Sequence, residues 1–372
     1  NELGREMTPE ELAEARGYGR IQLGLTLADH AVDLVYLGLA AFVFAVPLTN
    51  WIATFGLSDT LSLAVLFAIV FGLHVLASLP VSFLSGYLVE ARFELTNQTA
   101  FRWFRKYFER MAISSVFGLA IFVLLFWIIW LTGSYWWLVA AAAFFVINVL
   151  LGQLVPVLIL PLQFKIEKLD RDDLSQRMAR LTQGTGLSIE GIYRMGLSQE
   201  TKKANAMLAG LGRTRRVLIG DTLLSAFSPD EIEVIFAHEV GHHVHRHIMK
   251  LIAIGAVFST VSFLCYDRIL AAWVGIDSFD QAPIPISALP LLMFLIKGFM
   301  LLSEPLQNAV MRHFERQCDA YALERTGMPD AYLSAFRKLA VLNKDDPDPH
   351  PLEVFLFHSH PPISQRLAMA EH

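Results

Sequence analysis

Long apolar runs alternate with short polar segments through most of this chain. Six runs reach the roughly 20 residues needed to cross a bilayer as a helix. They lie at about 32–52, 61–84, 111–132, 136–160, 248–266 and 286–304. Asp33, Lys297 and Glu304 fall inside or at the ends of these runs, where charge is costly. Lys297 is expected to face the bundle interior or a water-filled cavity, whereas Asp33 and Glu304 are expected to reach the interface from span ends. The pattern changes over 163–247, where polar residues dominate. There a helix is predicted from Asp170 or Asp172 through Leu174, Met178 and Leu181, stopping near Gly184 and Gly186. Strands are predicted at about 188–195, 204–209 and 215–220, the last two forming a hairpin around Gly210-Leu-Gly212. The predicted fold is mainly α: a transmembrane bundle of about six spans with a small α/β unit. Five segments follow: a polar, amphipathic helix over 1–30, four spans over 31–162, the α/β unit over 163–247, two further spans over 248–306, and C-terminal helices over 307–372.

Composition strengthens the membrane reading. The chain is 54% hydrophobic and 17% charged, with a mean hydropathy of +0.46, more apolar than a soluble core of this length requires. Trp127, Trp130, Trp136 and Trp137 cluster where the third and fourth spans are expected to meet an interface. Segment 53–60 lacks Lys and Arg, whereas 91–110 holds Arg92, Arg102, Arg105, Lys106 and Arg110, and 163–247 is also rich in basic residues. This alternation places both termini and the α/β unit in the cytoplasm. A net charge of −5 points away from a nucleic-acid partner. Two cysteines, Cys265 and Cys318, offer no disulfide framework. No cleavable signal peptide is visible, and the chain opens on Asn1, so a segment upstream is expected.

The chemistry is concentrated in Ser228-Pro-Asp-Glu-Ile-Glu-Val-Ile-Phe-Ala-His238-Glu239-Val-Gly-His242. Ser228, Pro229 and Glu231 have the order of a capped helix start with a capping box. Four residues apart on that helix, His238 and His242 project from one face toward a single metal ion. Glu239 stands beside them as a base for the attacking water. Such a site normally needs a third protein ligand. Glu315 and Asp319, one turn apart in a later helix, offer a ligand and an acceptor that orients a histidine. A solvated helix face accounts for most Glu-x-x-x-Asp pairs, and His247, Cys318 and His313 are rivals. His247 would lie about 140° around a continuous helix from His242, which counts against it. His243 and His245, off the metal face, are expected near headgroups or acidic neighbours, and His74 is expected as a packed bundle residue.

Taken in order, the motifs resemble the integral-membrane CAAX prenyl protease family of zinc endopeptidases. The matching residues are Arg92-Phe93-Glu94-Leu95-Thr96-Asn97-Gln98-Thr99, Pro161-Leu162, Lys203-Ala204-Asn205-Ala206, Asp221-Thr222-Leu223-Leu224, His238-Glu239-x-x-His242 with His247, Glu315-x-x-x-Asp319 and Ser359-His360-Pro361-Pro362-x-x-x-Arg366. The resemblance runs from about residue 10 to the end. It implies a zincin-like α/β unit of the gluzincin type, with one zinc ion held by His238, His242 and Glu315. It further implies Glu239 as general base and proton shuttle, Asp319 as the residue orienting a ligand, and His360 and Arg366 as groups near the developing oxyanion. Asn205, Ala206 and Met207 would lie on an edge strand that pairs with an extended substrate. The substrate would be a peptide or protein, lipidated or embedded in the bilayer.

The resemblance has departures. The family commonly has seven spans against the six read here. Glu94-Leu95-Thr96 stands where eukaryotic members read Gly-Phe-Asn, and His243 replaces an aromatic that often follows the second histidine. The last two point to a prokaryotic member in a bacterial inner membrane, where a CAAX substrate is not a given. Quality control of misfolded membrane proteins is the alternative activity. Against a non-catalytic scaffold stands Glu239, and against a transporter the lack of paired broken helices.

Overall fold

The structure, a computed structural model, describes residues 4–154, 160–209 and 215–371. Helix α1 (Pro9–Leu39) starts at Thr8, whose side chain accepts from the Glu11 amide while the Glu11 carboxylate accepts from the Thr8 amide. It continues through a π-helical turn (Ala40–Phe44) into α2 (Ala45–Ala53). The polar segment over 1–30 and the first span are thus largely one rod, because no proline stands between Pro9 and the π turn. Helix α3 (Asp59–Phe83) is capped by Ser58, passes through a π-helical segment (Leu84–Val89) and ends in α4 (Glu90–Arg92). Thr99 caps α5 (Ala100–Thr132), which Gly133, at φ +50°, separates from α6 (Trp136–Leu154).

Among the described residues, five helical runs are long and apolar enough to cross a membrane: Pro9–Ala53, Asp59–Arg92, Ala100–Gly152, His247–Val274 and Ile286–Thr326. The run Ala100–Gly152 contains the third span and most of the fourth. Its 53 residues would stretch about 80 Å as one straight helix, far beyond a ~30 Å hydrocarbon core. Residues 155–159 of the expected fourth span lie outside the described residues. Ile128, Ile129, Trp136, Ala140, Phe263, Leu270 and Leu292 share one buried apolar cluster across these helices. Trp136 belongs to that core, not to an interface: it is fully buried and donates from Nε1 to Asp267 Oδ1 at 2.6 Å.

After α7 (Leu160–Gln163) come β1 (Ile166–Lys168), α8 (Asp172–Thr182), β2 (Gly191–Met195), β3 (Ala206–Ala209) and β4 (Arg216–Gly220). The sheet order is β1-β2-β4-β3, with β2 and β4 parallel and the outer pairs antiparallel. Strand β1 was not anticipated; at three residues it carries too little pattern to read. The expected β3–β4 hairpin pairs as such, although its Gly210-Leu-Gly212 turn lies outside the described residues.

Helix α9 (Asp221–Ala226) leads to α10 (Pro229–Val244), which begins with the expected capping box between Ser228 and Glu231. Arg246, left-handed at φ +54°, then redirects the chain into α11 (His247–Val274). Helix α12 (Leu289–Thr326) runs unbroken from the sixth span into the Glu315 segment. It crosses α10 where Gly241 lies against Cys318, so close that a Cβ on Gly241 would sit 3.0 Å from the Cys318 Cα. Helices α13 (Pro329–Asn343), α14 (Pro351–Phe357) and α15 (Ile363–Ala368) complete the chain.

Candidate active site

Helix α10 presents His238 and His242 on one face, and α12 brings Glu315 between them. His238 Nε2 lies 3.2 Å from Glu315 Oε2, and His242 Nε2 lies 3.3 Å from Glu315 Oε1. Ligands bonded at 2.0–2.1 Å to one tetrahedral ion stand about 3.3 Å apart, so these separations suit a shared metal. Glu315 Oε2 is buried without a hydrogen-bond donor, an arrangement that a cation would satisfy. The ligand atoms of His238, His242 and Cys318 also lie within 4.8 Å of one another. The Cys318 Sγ, however, is turned to His247 Nδ1 at 3.6 Å, and Glu315 addresses both imidazoles at once.

Behind His238, Asp319 Oδ1 accepts from Nδ1 at 2.9 Å. Arg366 then donates to Asp319 through Nε at 2.9 Å and Nη2 at 2.6 Å. This bidentate pair is buried and turns the Asp319 carboxylate toward the imidazole. Burial pulls the His238 pKa down, but Asp319 and then Glu315 override it and raise it to about 9. Two carboxylates facing one imidazole favour positive charge in this pocket.

These groups open onto a cavity of about 660 Å³ lined by His238, Glu239, Glu315, Asn205, Ala206 and His360, among others. His360 Nε2 stands 3.5 Å from Glu315 Oε2. Its segment is tied to α12 by Asn308, which donates to the Leu356 carbonyl, and by Arg312, which donates to the Val354 and His358 carbonyls. Neither Asn308 nor Arg312 stood out in the sequence. Glu304, half-buried, is among the residues lining the same cavity. Asp33, expected to reach the interface, is buried instead, pairing with His74 Nε2 at 2.7 Å and Lys297 Nζ at 2.5 Å. A salt bridge from a third helix makes burial cheaper than reaching the interface.

Strand β3 forms the open edge of the sheet. The Gly220 amide donates to the Asn205 carbonyl at 2.9 Å, so Asn205 faces Gly220 as a hydrogen-bonded pair. Antiparallel alternation then turns the Ala206 amide and carbonyl toward the free edge, beside the cavity. Met207 is not among the cavity's lining residues. The Arg92–Thr99 motif docks just before this strand: Asn97 donates to the Glu200 carbonyl, and Lys202 donates to the Leu95 carbonyl.

Among the described residues, His243 meets a cation and a backbone carbonyl in place of the expected acidic neighbour. Arg215 Nη1 donates to its Nδ1 at 2.6 Å and its Nε2 lies 3.2 Å from the Thr185 carbonyl, while burial and the Arg215 charge lower its pKa. His247 is buried against His242, Nδ1 to Nδ1 at 3.1 Å. The left-handed Arg246 breaks the helix between the two histidines, so the separation expected on a continuous helix does not apply.

Comparison with known proteins decides the family. The description of peptidase family M48 matches residues 168–372, more than half of the chain. The chain belongs to peptidase family M48. Its first 165 residues match the CAAX prenyl protease N-terminal region, described as five membrane helices. The M48 chain is 27% identical to the uncharacterized metalloprotease YhfN of Bacillus subtilis, over 98% of its own length and 86% of the relative's. It is 24% identical to CAAX prenyl protease 1 of Saccharomyces cerevisiae, over 100% and 88% of the two chains. The crystal structure of S. mikatae Ste24p shares its fold, with a TM-score of 0.84 at 22% identity, covering 97% of this chain and 89% of that one. This M48 protein is therefore a multi-pass membrane metalloendopeptidase acting on peptide or protein substrates.

Proposed function

We propose that this M48 peptidase is a zinc endopeptidase of the CAAX-processing kind, with its site open to the cytoplasmic side of a bacterial inner membrane. The observation that carries the reading is the approach of both histidine Nε2 atoms to the two oxygens of Glu315, on the wall of a cavity shared with Glu239. A set of two imidazoles and a carboxylate suits zinc among divalent ions. His238, His242 and Glu315 would hold it. When bound, zinc supplies a Lewis acid that acidifies water and polarises the scissile carbonyl.

The chain's own groups do the rest. Ala206 pairs its free-edge amide and carbonyl with an extended substrate backbone, flanked by Asn205 just before the strand and Met207 within it. Glu239 accepts the proton of the attacking water and delivers it to the leaving amine. His360 donates to the developing oxyanion from across the cavity. Asp319 keeps the His238 proton on Nδ1, leaving Nε2 bare, and Arg366 holds Asp319 in that pose. Basic residues in the loop over 91–110 and in the α/β unit support the cytoplasmic placement. The acidic net charge supports a role without nucleic acid.

Substrate lipidation is tested with one matched pair: a C-terminal CAAX peptide with and without farnesyl, incubated with purified protein. Chelator-treated protein and Glu239→Gln serve as blanks. Preferential cleavage of the farnesylated peptide supports CAAX processing. Equal cleavage of both, lost in the blanks, points instead to a general membrane peptidase with a quality-control role.

A further inference from the structure

Two residues hold His238 from behind, but among the described residues no carboxylate stands in that position for His242. Its Nδ1 instead meets Nδ1 of His247 at 3.1 Å, and His247 Nε2 meets Gln317 Oε1 at 2.8 Å. Each contact needs one proton, and the chain of contacts has a direction. With Gln317 oriented by its carbonyl oxygen, the amide accepts, so the His247 proton sits on Nε2. His247 Nδ1 is then a lone pair and must accept from His242. That places the His242 proton on Nδ1 and leaves its Nε2 bare, facing Glu315 Oε1 at 3.3 Å. Turning the Gln317 amide over would reverse both contacts and put a proton on the nitrogen that faces Glu315. Only the first direction permits ligation.

We propose that His247 is the positioning residue of His242, fixing the tautomer and ring angle with which His242 binds the metal. The inference rests on the reading of His242 as a ligand. The site for this residue is built from three elements. His242 lies in the last turn of α10, His247 is the first residue of the membrane-crossing α11, and Gln317 stands two residues beyond Glu315 on α12. The left-handed Arg246 between α10 and α11 brings His247 back toward His242. The His247 ring is 1% exposed and stacks on Phe314 at 4.1 Å between centroids and 9° between planes. Cys318 Sγ, 3.6 Å from the same Nδ1, adds a weak second neighbour. His247 is not itself a ligand, because it meets His242 at Nδ1, whereas Glu315 lies on the Nε2 side.

The test uses full-length protein purified in detergent. Zinc affinity is measured by competition with a chromogenic chelator, and the visible spectrum is recorded with cobalt in place of zinc. His247→Phe keeps the ring and its stacking but removes the acceptor. It should weaken zinc binding about 10- to 100-fold and alter the cobalt bands. His247→Asn can present Oδ1 where Nδ1 stood and should stay close to the parent protein in both readouts. Gln317→Leu should produce a smaller loss in the same direction, with an unchanged melting temperature. Parent-like affinity and spectrum in His247→Phe would overturn the proposal, as would an Asn variant no better than the Phe variant. Should His247→Phe not fold, Gln317→Leu decides, and parent-like affinity there counts against the proposal. His242→Ala separates the two levels: undiminished zinc binding in that variant sinks the ligand reading itself. Loss there with no effect at His247 sinks only the inference.

Discussion

At the residue scale, adjacent side chains on α10 are sorted into different tasks by what stands behind them. His238 is backed by Asp319 and Arg366 and is buried, so its ring has one pose. Glu239, next in the chain, points into the cavity and has no hydrogen bond among the described residues. That freedom suits the proposed role of accepting a proton and carrying it across the site. Replacing Glu239 by Gln keeps the size and removes the proposed base. Peptide turnover is expected to fall by about 10²- to 10⁴-fold, with metal content unchanged by elemental analysis. A variant that also lost its metal would assign Glu239 to the ligand set.

At the element scale, the site depends on how closely α10 and α12 approach. Gly241 permits that approach. In Gly241→Ala the new Cβ would meet Cys318 Cα at 3.0 Å and Cβ at 3.2 Å, and backbone on α12 cannot simply rotate away. The helices must separate, drawing Glu315 away from the two imidazoles. Overpacking of this kind costs about 1–3 kcal/mol, so a lower melting temperature and weaker metal retention are expected together. The start of α10 is held by a second device. Glu231 closes the capping box and also takes Lys338 Nζ at 2.7 Å and Ser334 Oγ at 2.5 Å, with the Lys338 and Glu231 side chains 1% and 3% exposed. Removing the cation in Lys338→Met strands a buried carboxylate and should cost about 3–5 kcal/mol in a denaturant melt. Burial opposes the charge on Glu231, but Lys338, Ser334 and the Ser228 amide outweigh it and hold its pKa below 4.5. A carboxyl with a lowered folded-state pKa stabilises the protein above its unfolded value. That contribution should therefore be present at neutral pH and vanish as the pH falls below about 4.5. The Lys338→Met variant should show a flatter acid limb.

At the scale of the whole molecule, the catalytic unit is not a domain resting on a membrane anchor. Helix α12 crosses the bundle and then supplies Glu315, Gln317 and Asp319, while α11 begins with the residue that touches His242. Within the bundle, Asp33 of α1 joins His74 of α3 and Lys297 of α12. Three helices are thereby locked in register by one carboxylate. Lys297→Met should lower the melting temperature in detergent, because Asp33 is left with the imidazole alone. The double variant Asp33→Asn with Lys297→Met should recover part of the loss, since no unpaired charge remains. Equal melting of the single variant and the parent would show that the network adds no stability.

The membrane character, the helix carrying His238-Glu239-x-x-His242 and its capping box were legible in the sequence, because each depends on residues within a few turns of one another. Apolar run length, helical spacing and cap chemistry are local physics. The Glu315–Asp319 pair was visible only as one candidate among several, until the ordered motifs singled it out. Tertiary structure decided the remainder. Asp319 and Arg366 are joined across 47 positions, and no periodicity encodes which buried carboxylate a distant guanidinium will find. A helical wheel puts His247 far from His242, yet one left-handed residue at Arg246 brings the two rings into contact, with His247 still outside the ligand set. Asp33 reads as surface-seeking because isolated charge avoids lipid; partners on two other helices hold it inside the bundle instead. Local pattern determines which elements exist and what chemistry they carry. Packing determines which groups meet, because contacts between distant segments depend on the shape of everything between them.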